Sequence, residues 1–484
     1  MEAVFILEAV LLGHVICFFL DRYLKGIHSP KYAIFLKILP VQIEFLNVKW
    51  ATSVFNKTLN SWVVQKLWFL HKWYNLGTVV TLLICIPSMI LLTSTALTSF
   101  QNLFQTIQEE TALQPVLPGI NLPKSDYCYY FITLLLCTVV HEVGHAIAAL
   151  CEQVPLINMG FMLWLIIPAA FVELPTNCVH VLSPWKQLKI YCAGVWHNII
   201  LSTIALLMLF FLPYVLMPFF ETGDGVYIVD LNQYLTKGLH DFQVGNQITH
   251  LNNCRVTDEQ SWNQCLSDIL RDSSFGFCLD DSYLSDKMNG DALCCNDSAL
   301  SNSHLCFFTL PMSSSNNRYC LRARQVTNLS YGWCHEHNGC SVKQSCLVPL
   351  LSNENGNETD STKFIEIKRH GENPILFIGQ PQEIYSSVYI SNYTPRTILG
   401  PIFAHRIEYL LRYLISFSAG LAMLNVVPCV YMDGQHIANA VSEIITNGRH
   451  NVLLKIFIKN VLIFVGTLLV VVNILLGLLV LIIK

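Results

Sequence analysis

Residues 127–150 read YCYYFITLLLCTVVHEVGHAIAAL. The stretch holds one acidic residue, Glu142, and neither Lys nor Arg. It is long enough to cross a bilayer core, which takes about 20 apolar helical residues. His141 and His145 are four apart, so on a helix they share one face and can bind one metal ion. Glu142 lies beside them, suited to act as a general base on water. Ionisable side chains inside a transmembrane helix are costly and mark function.

The rest of the chain agrees with a membrane setting. Of 484 residues, 53% are hydrophobic and 13% charged, with a mean hydropathy of +0.46. A soluble domain carries about 25% charged residues, so an ordinary cytosolic enzyme and a disordered chain are both excluded. The net charge of −4 gives no electrostatic case for nucleic acid as a partner. Long uncharged runs predict six spans, at 3–20, 76–100, 127–150, 188–211 (apolar on to 220), 409–430 and 461–483. A seventh run, 157–174, is broken by Gly160 and Pro168 and reads as a re-entrant segment. It offers either an edge strand or a short packed helix.

Orientation follows from charge. The loop after the first run carries Arg22, Lys25, Lys31, Lys37, Lys49, Lys57, Lys66 and Lys72 against Asp21 and Glu44, which places it in the cytosol. Residues 101–126 and 221–405 then lie outside, and 151–187 and 434–455 inside. Ten of the 18 cysteines fall between Cys254 and Cys346, in that outer segment, and include the adjacent pair Cys294 and Cys295. Such density predicts disulfides and an oxidising compartment. Sequons at Asn296, Asn328, Asn357 and Asn392 fall in the same segment, whereas the one at Asn56 is expected to be cytosolic and unused. The wide spacing of Cys334, Cys340 and Cys346 argues against a zinc ribbon.

Within the outer segment, residues 223–268 predict short strands and a helix, and VGNQITHLN (244–252) resembles the start of PDZ-like domains of membrane-associated proteases, with Asn246 where Asp is common. Final strands are expected over 363–368 and 383–391. The Cys-, Ser- and Asn-rich stretch at about 271–360 reads as an insert, either a disulfide-held spacer or a filter that keeps bulky domains from the membrane site. The fold expected is therefore a polytopic α-helical membrane protein with a lumenal PDZ-like α+β domain. Its parts are an N-terminal region (1–100), a first core part (127–220), the lumenal domain (221–405) and a second core part (406–484).

A catalytic zinc usually takes three protein ligands and leaves a fourth position open. Glu173, His197, Asp433 and His436 are candidates for the third ligand, and position 151 is Cys rather than His. Asp433 is best placed, in NVVPCVYMDGQH (425–436), at the predicted inner end of the fifth span. Pro428 and Gly434 allow the helix to break there. HEVGH in one span, Asp433–Gly434 in a later one after Asn425–Pro428, and GVWHN (194–198) between them resemble the site-2 protease family of intramembrane zinc metalloproteases. VLPGINLP (116–123), CAGVWHN and NVVPCVYMDGQ are similar to strings in its animal members, and the resemblance is weakest over 271–360. Met432 stands where that family has Leu, a swap of similar volume.

The resemblance implies one Zn2+ per chain, held by His141, His145 and Asp433, with Glu142 as catalytic base. It implies that Asn198 orients or stabilises the reacting peptide, that Gly194 allows close helix packing and that Pro428 shapes the Asp433 turn. It also implies the substrates: transmembrane helices of membrane-tethered transcription factors, first cut on the lumenal side, in sterol and unfolded-protein responses, from a Golgi or endoplasmic-reticulum membrane. The competing readings are a zinc transporter, an inactive escort protein and a CAAX-type metalloprotease with a Glu ligand. Scattered histidines oppose the first, retention of Glu142 the second, and Asp433 with the PDZ-like domain the third.

Overall fold

The computed structural model describes residues 2–104, 116, 126–231, 241–271, 276–287, 304–310, 318–334, 340–351, 362–396, 400–446 and 452–483. The chain forms two compact units, Met1–Phe210 with Tyr409–Lys484, and Phe211–Glu408.

The first unit begins with α1 (Glu2–Gly26), α2 (Pro30–Ile38), β1 (Val41–Glu44), β2 (Asn47–Thr52), α3 (Asn56–Gln65) and α4 (Leu67–Asn102). It continues with α5 (Tyr127–Cys151), β3 (Asn158–Trp164), β4 (Ile167–Glu173), α6 (Thr176–Val181) and α7 (Pro184–Leu216). Pro30 and Pro184 each open a helix, where a missing N–H leaves nothing unpaired. Residues 157–174 form a hairpin, which decides between the two expectations for that segment. The hairpin joins β1 and β2 in an antiparallel sheet of order β1-β2-β3-β4. Two loops assigned to the inside by charge thus share one sheet. Gly160 makes the pairing close, because a Cβ there would run into the Trp50 carbonyl. Both hairpins turn on a leucine in the left-handed region, Leu46 (φ 59°) and Leu165 (φ 54°). The two turns are tied together by Leu165 N–H donating to Leu46 O at 3.0 Å. His14 Nε2 of α1 bonds the Leu165 carbonyl at 2.8 Å.

The second unit contains two larger sheets. The first strands are β5 (Phe220–Glu221), β6 (Val226–Leu231), β7 (Gln247–Leu251) and β8 (Cys254–Arg255), followed by α8 (Glu259–Arg271). Trp262, Cys265, Leu266 and Ile269 of α8 are buried, the i, i+3, i+4, i+7 stripe of a helix packed on one face. Its entry is capped reciprocally: Ser261 N–H donates to Asp258 Oδ1 at 2.7 Å and Asp258 N–H to Ser261 Oγ at 2.9 Å. The Ser261 amide holds the Asp258 carboxyl below the usual carboxylate range. The insert follows with β9 (Gly276–Asp280), α9 (Asp281–Lys287), β10 (His304–Leu310), β11 (Arg318–Arg322), α10 (Ala323–Leu329), β12 (Trp333–Cys334) and β13 (Gln344–Pro349). These strands form a sheet of order β11-β10-β13-β9-β12 around Phe277, Leu279, Phe307, Leu321 and Leu347. The described part of the insert is therefore a sheet with a core that also takes in Phe364 from beyond it.

The chain then returns to the first sheet with β14 (Lys363–Arg369), β15 (Ile375–Gly379), α11 (Pro381–Ser387), β16 (Val388–Ser391) and β17 (Thr394–Pro395). Its order is β15-β14-β7-β6-β16, with β8 on β7, and β17 pairs with β5 apart from it. The strand expected over 383–391 is corrected: Pro381 starts a helical turn, and only the last four residues are extended.

The first unit is completed by α12 (Pro401–Val426), α13 (Asp433–Ile445) and α14 (Val452–Ile483). Among the described residues, five helices are long and apolar enough to cross a membrane: Leu67–Asn102, Tyr127–Cys151, Pro184–Leu216, Ile402–Val426 and Val452–Val480. The chain is a polytopic membrane protein. The predicted first span, 3–20, lies within α1, which is not among the five and carries Asp21, Arg22 and Lys25 toward its C-terminal end. The fifth span stops at Val426 rather than at 430.

Eight described cysteines of the second unit are disulfide-bonded. They include the pairs Cys254–Cys265, Cys278–Cys340 and Cys334–Cys346. A cluster of Cys278, Cys334 and Cys340 within metal-binding distance is thereby accounted for by disulfides. All eight free cysteines, among the described residues, lie in the first unit. Cys294, Cys295, Asn296, Asn357 and nearly all of the 116–123 string lie outside the described residues. Asn328 is exposed. Asn56 donates its amide nitrogen to the carbonyls of Leu156 and Ile157 at 3.1 and 3.0 Å. Denaturing alkylation without reductant, read by peptide mass spectrometry, should label Cys17, Cys85, Cys128, Cys137, Cys151, Cys178, Cys192 and Cys429. It should spare Cys254, Cys265, Cys278, Cys334, Cys340 and Cys346 until a reductant is added.

Candidate metal centre

α5 carries His141 and His145 one turn apart on a buried face. Their Nε2 atoms are 3.1 Å apart. Asp433 is the first residue of α13. Its Oδ2 lies 2.9 Å from His141 Nε2 and 3.3 Å from His145 Nε2. The Asp433 position corrects the sequence reading. The carboxylate does not end the fifth span but opens a separate helix, after a non-helical turn over 427–432. Val427 N–H bonds Leu424 O, Cys429 N–H bonds Val427 O, and Met432 N–H bonds Cys429 O, so the turn is stitched by its own backbone. Pro428 lies in that turn, where it cannot continue the helix.

The far side of each imidazole is also engaged. His145 Nδ1 lies 2.7 Å from the Ile190 carbonyl. A carbonyl only accepts, so the proton sits on Nδ1 and Nε2 presents a lone pair to the cluster. Asn198 lies at the corresponding nitrogen of His141, with its side-chain nitrogen 3.2 Å from Nδ1. Its Oδ1 is buried without a partner. Turning the amide over places that oxygen on a protonated Nδ1, which satisfies it and frees His141 Nε2. Two nitrogen lone pairs and a carboxylate oxygen then face one another, an arrangement that repels itself unless a cation lies between. Two imidazoles and one carboxylate are the donor set of a catalytic zinc with an open fourth position. Ligating histidines characteristically donate their other N–H to an oxygen, as His145 does to Ile190 and as the turned Asn198 amide would let His141 do.

Space for the cluster comes from Gly194 on α7. A Cβ there would fall 2.5 Å from His141 Nε2 and would also strike His145 Nε2. The expectation of close helix packing at Gly194 thus takes a specific form: the missing side chain is the volume the imidazoles occupy. At the end of α5, buried Glu152 accepts from Lys189 Nζ at 3.0 Å and lies 3.3 Å from Lys186 Nζ, tying α5 to the turn of α7 that supplies Ile190.

The hairpin packs along α5 through β4. Thr138, one turn before Glu142 on α5, accepts the Ala170 amide at 3.2 Å. Ala170 and Val172 share the outward parity of β4 with Pro168, which has no N–H. Sequence reasoning missed this arrangement, although Pro168 is the residue an edge strand accepts.

The other candidates for a third ligand are elsewhere. His197 Nδ1 bonds the Ala193 carbonyl at 2.8 Å and packs on Tyr74. His436 stacks on Tyr191, and Glu173 accepts from Asn158 at 3.0 Å.

If Gly194 is the space for both rings, Gly194→Ala should abolish zinc retention by the purified protein. Gly420→Ala, where a Cβ meets nothing within 4 Å, should leave it unchanged. Metal analysis of the two variants after dialysis checks this.

Comparison with known proteins agrees with the geometry. The chain is 24% identical over 419 residues to a membrane-bound transcription factor site-2 protease homolog of Arabidopsis thaliana, covering 76% of this chain and 80% of that one. The model of peptidase family M50 matches residues 129–473, from the start of α5 to within α14. With its His-His-Asp cluster set among membrane-spanning helices, the chain belongs to peptidase family M50 and is a metalloprotease.

Proposed function

We propose that the chain is an intramembrane zinc endopeptidase with one Zn2+, held by His141, His145 and Asp433, and with Glu142 as catalytic base. The observation that carries this reading is the convergence of three donor atoms within 3.3 Å from two helices, beside a carboxylate on the same α5. Bound there, zinc supplies Lewis acidity to the scissile carbonyl. Hydrolysis adds a hydroxyl to the carbonyl carbon and a proton to the amine as the C–N bond breaks. Glu142 takes the proton from water and delivers it to that amine. His145, fixed by Ile190, and His141, fixed by Asn198, keep their ring planes set. Asn198 lies against His141, which supports a role through that imidazole beside the orienting of the reacting peptide that the sequence resemblance implies.

A helical substrate hides its carbonyls in its own hydrogen bonds and must unwind to be cut. The β4 edge beside Glu142 suits an unwound peptide, which would be held by its backbone with little sequence demand. The Ala170 amide that such a strand would use is now taken by Thr138, so strand addition displaces that contact as it seats the peptide. Ala170→Pro and Val172→Pro should each cut cleavage at least about 10-fold without loss of zinc, as removal of a supporting contact does. Unchanged cleavage would remove strand addition from the mechanism.

The relative's name supports membrane-bound transcription factors as the substrate class; we read the cut as falling in their transmembrane segments, after a first lumenal cleavage, to release their cytosolic domains. The sterol and unfolded-protein responses and a Golgi or endoplasmic-reticulum membrane belong to the same reading. Among the described residues the disulfides lie in the second unit, which supports a lumenal 221–405, and the basic loop before α4 supports a site near the cytosolic face. The six-stranded sheet with α8 and α11 supports a PDZ-like domain, and the insert sheet a filter above it. We count α1 as a sixth span.

The test is cleavage of a single-span protein with a short lumenal stub in reconstituted membranes. Wild type should cleave it. Glu142→Gln should bind zinc as wild type does and leave the substrate intact. Cleavage by Glu142→Gln at the wild-type rate would end the assignment of the base.

A further inference from the structure

The turn that carries Asp433 has an outside support. Gly434 of α13 packs against the Val427 carbonyl, where a Cβ would strike the oxygen. The next carbonyl along the chain, that of Pro428, meets Gly466 of α14 in the same manner, and a Cβ on Gly466 would also come within 2.8 Å of the Pro428 carbonyl carbon. Adjacent to Gly466, Thr467 Oγ1 accepts the Val430 amide at 3.2 Å. Val427 and Cys429 are buried between this part of α14 and Leu92 of α4, with Leu469 and Val470 against them. Two successive carbonyls of the turn are thus gripped by glycines of two different helices, and one of its amides by a threonine.

We propose that Gly466 and Thr467 of the last helix are positioning residues for the metal centre, holding the Pro428–Val430 turn so that Asp433 Oδ2 reaches both imidazoles. The proposal rests on Asp433 as a metal ligand. α13 packs by Ile437 and Ala440 on Leu188 and Cys192 of α7, but the turn that leads into its first residue, Asp433, is a short irregular segment. α14 supports that turn from 33 residues further along the chain.

The experiment uses the full chain purified in detergent, loaded with zinc and challenged with a chelator, with residual zinc measured by metal analysis. Gly466→Ala should retain zinc at least about 10-fold less well than wild type, the scale on which supporting partners of metal ligands act. Alanine is a better helix former than glycine, so loss cannot come from a weakened α14. Thr467→Val, of equal volume, should also lose retention, and Thr467→Ser should restore it. Leu468→Ala, at an exposed neighbour, should match wild type. Wild-type retention by both Gly466→Ala and Thr467→Val would overturn the proposal. Where Gly466→Ala shows no cooperative melting, the valine and serine pair decides alone. Asp433→Ala separates the two readings. If it keeps its zinc, the ligand assignment fails and the proposal with it. If it loses zinc while the α14 variants keep theirs, only the positioning role falls.

Discussion

A carboxylate oxygen within 3.3 Å of two imidazole nitrogens is the constraint around which the membrane unit is built. Asp433 and His145 are 288 residues apart in the chain, with a whole second unit between them. No local structure brings them together. Both imidazoles come from one helix, so their mutual geometry is settled by a single turn of α5. The carboxylate must be delivered to them by tertiary structure, and in a hydrocarbon setting every donor and acceptor near it must be satisfied as well. Ile190, Asn198 and the backbone bonds of the 427–432 turn meet part of that demand.

The supports share a pattern. Both imidazoles are touched on their far side by α7, His145 by the Ile190 carbonyl and His141 by the Asn198 side chain. Backbone groups cannot be lost by side-chain substitution, and they carry no charge to be desolvated. Glycine does the complementary work of leaving room, at Gly194 for the rings and at Gly434 for the turn.

Much of this was legible in the amino-acid order. His141, Glu142 and His145 follow from one helical period, and Asp433 was singled out by residue type and setting. The break at Pro428 was also foreseen, but not its consequence that Asp433 starts a new helix. The hairpin over 157–174 was ambiguous for a physical reason: a run apolar on both faces has no period to tell strand from helix. Its partner β2 lies in a basic loop more than 100 residues earlier, and such a pairing leaves no local trace. The insert concealed its sheet because short strands such as RYCLR and QSCLVP (318–322 and 344–349) are dominated by their Cys, Ser and Arg residues. Asn198 could be picked out by its GVWHN setting, yet only coordinates show that it faces His141.

α14 is the most apolar of the five long helices, and only 11% of its most apolar stretch is buried inside the protein. Lipid therefore surrounds most of the helix that touches the Pro428 carbonyl. A helix so exposed settles its tilt and depth by matching its hydrocarbon length to the bilayer. The thickness of the membrane is in this way only one helix removed from the turn that carries a carboxylate of the centre.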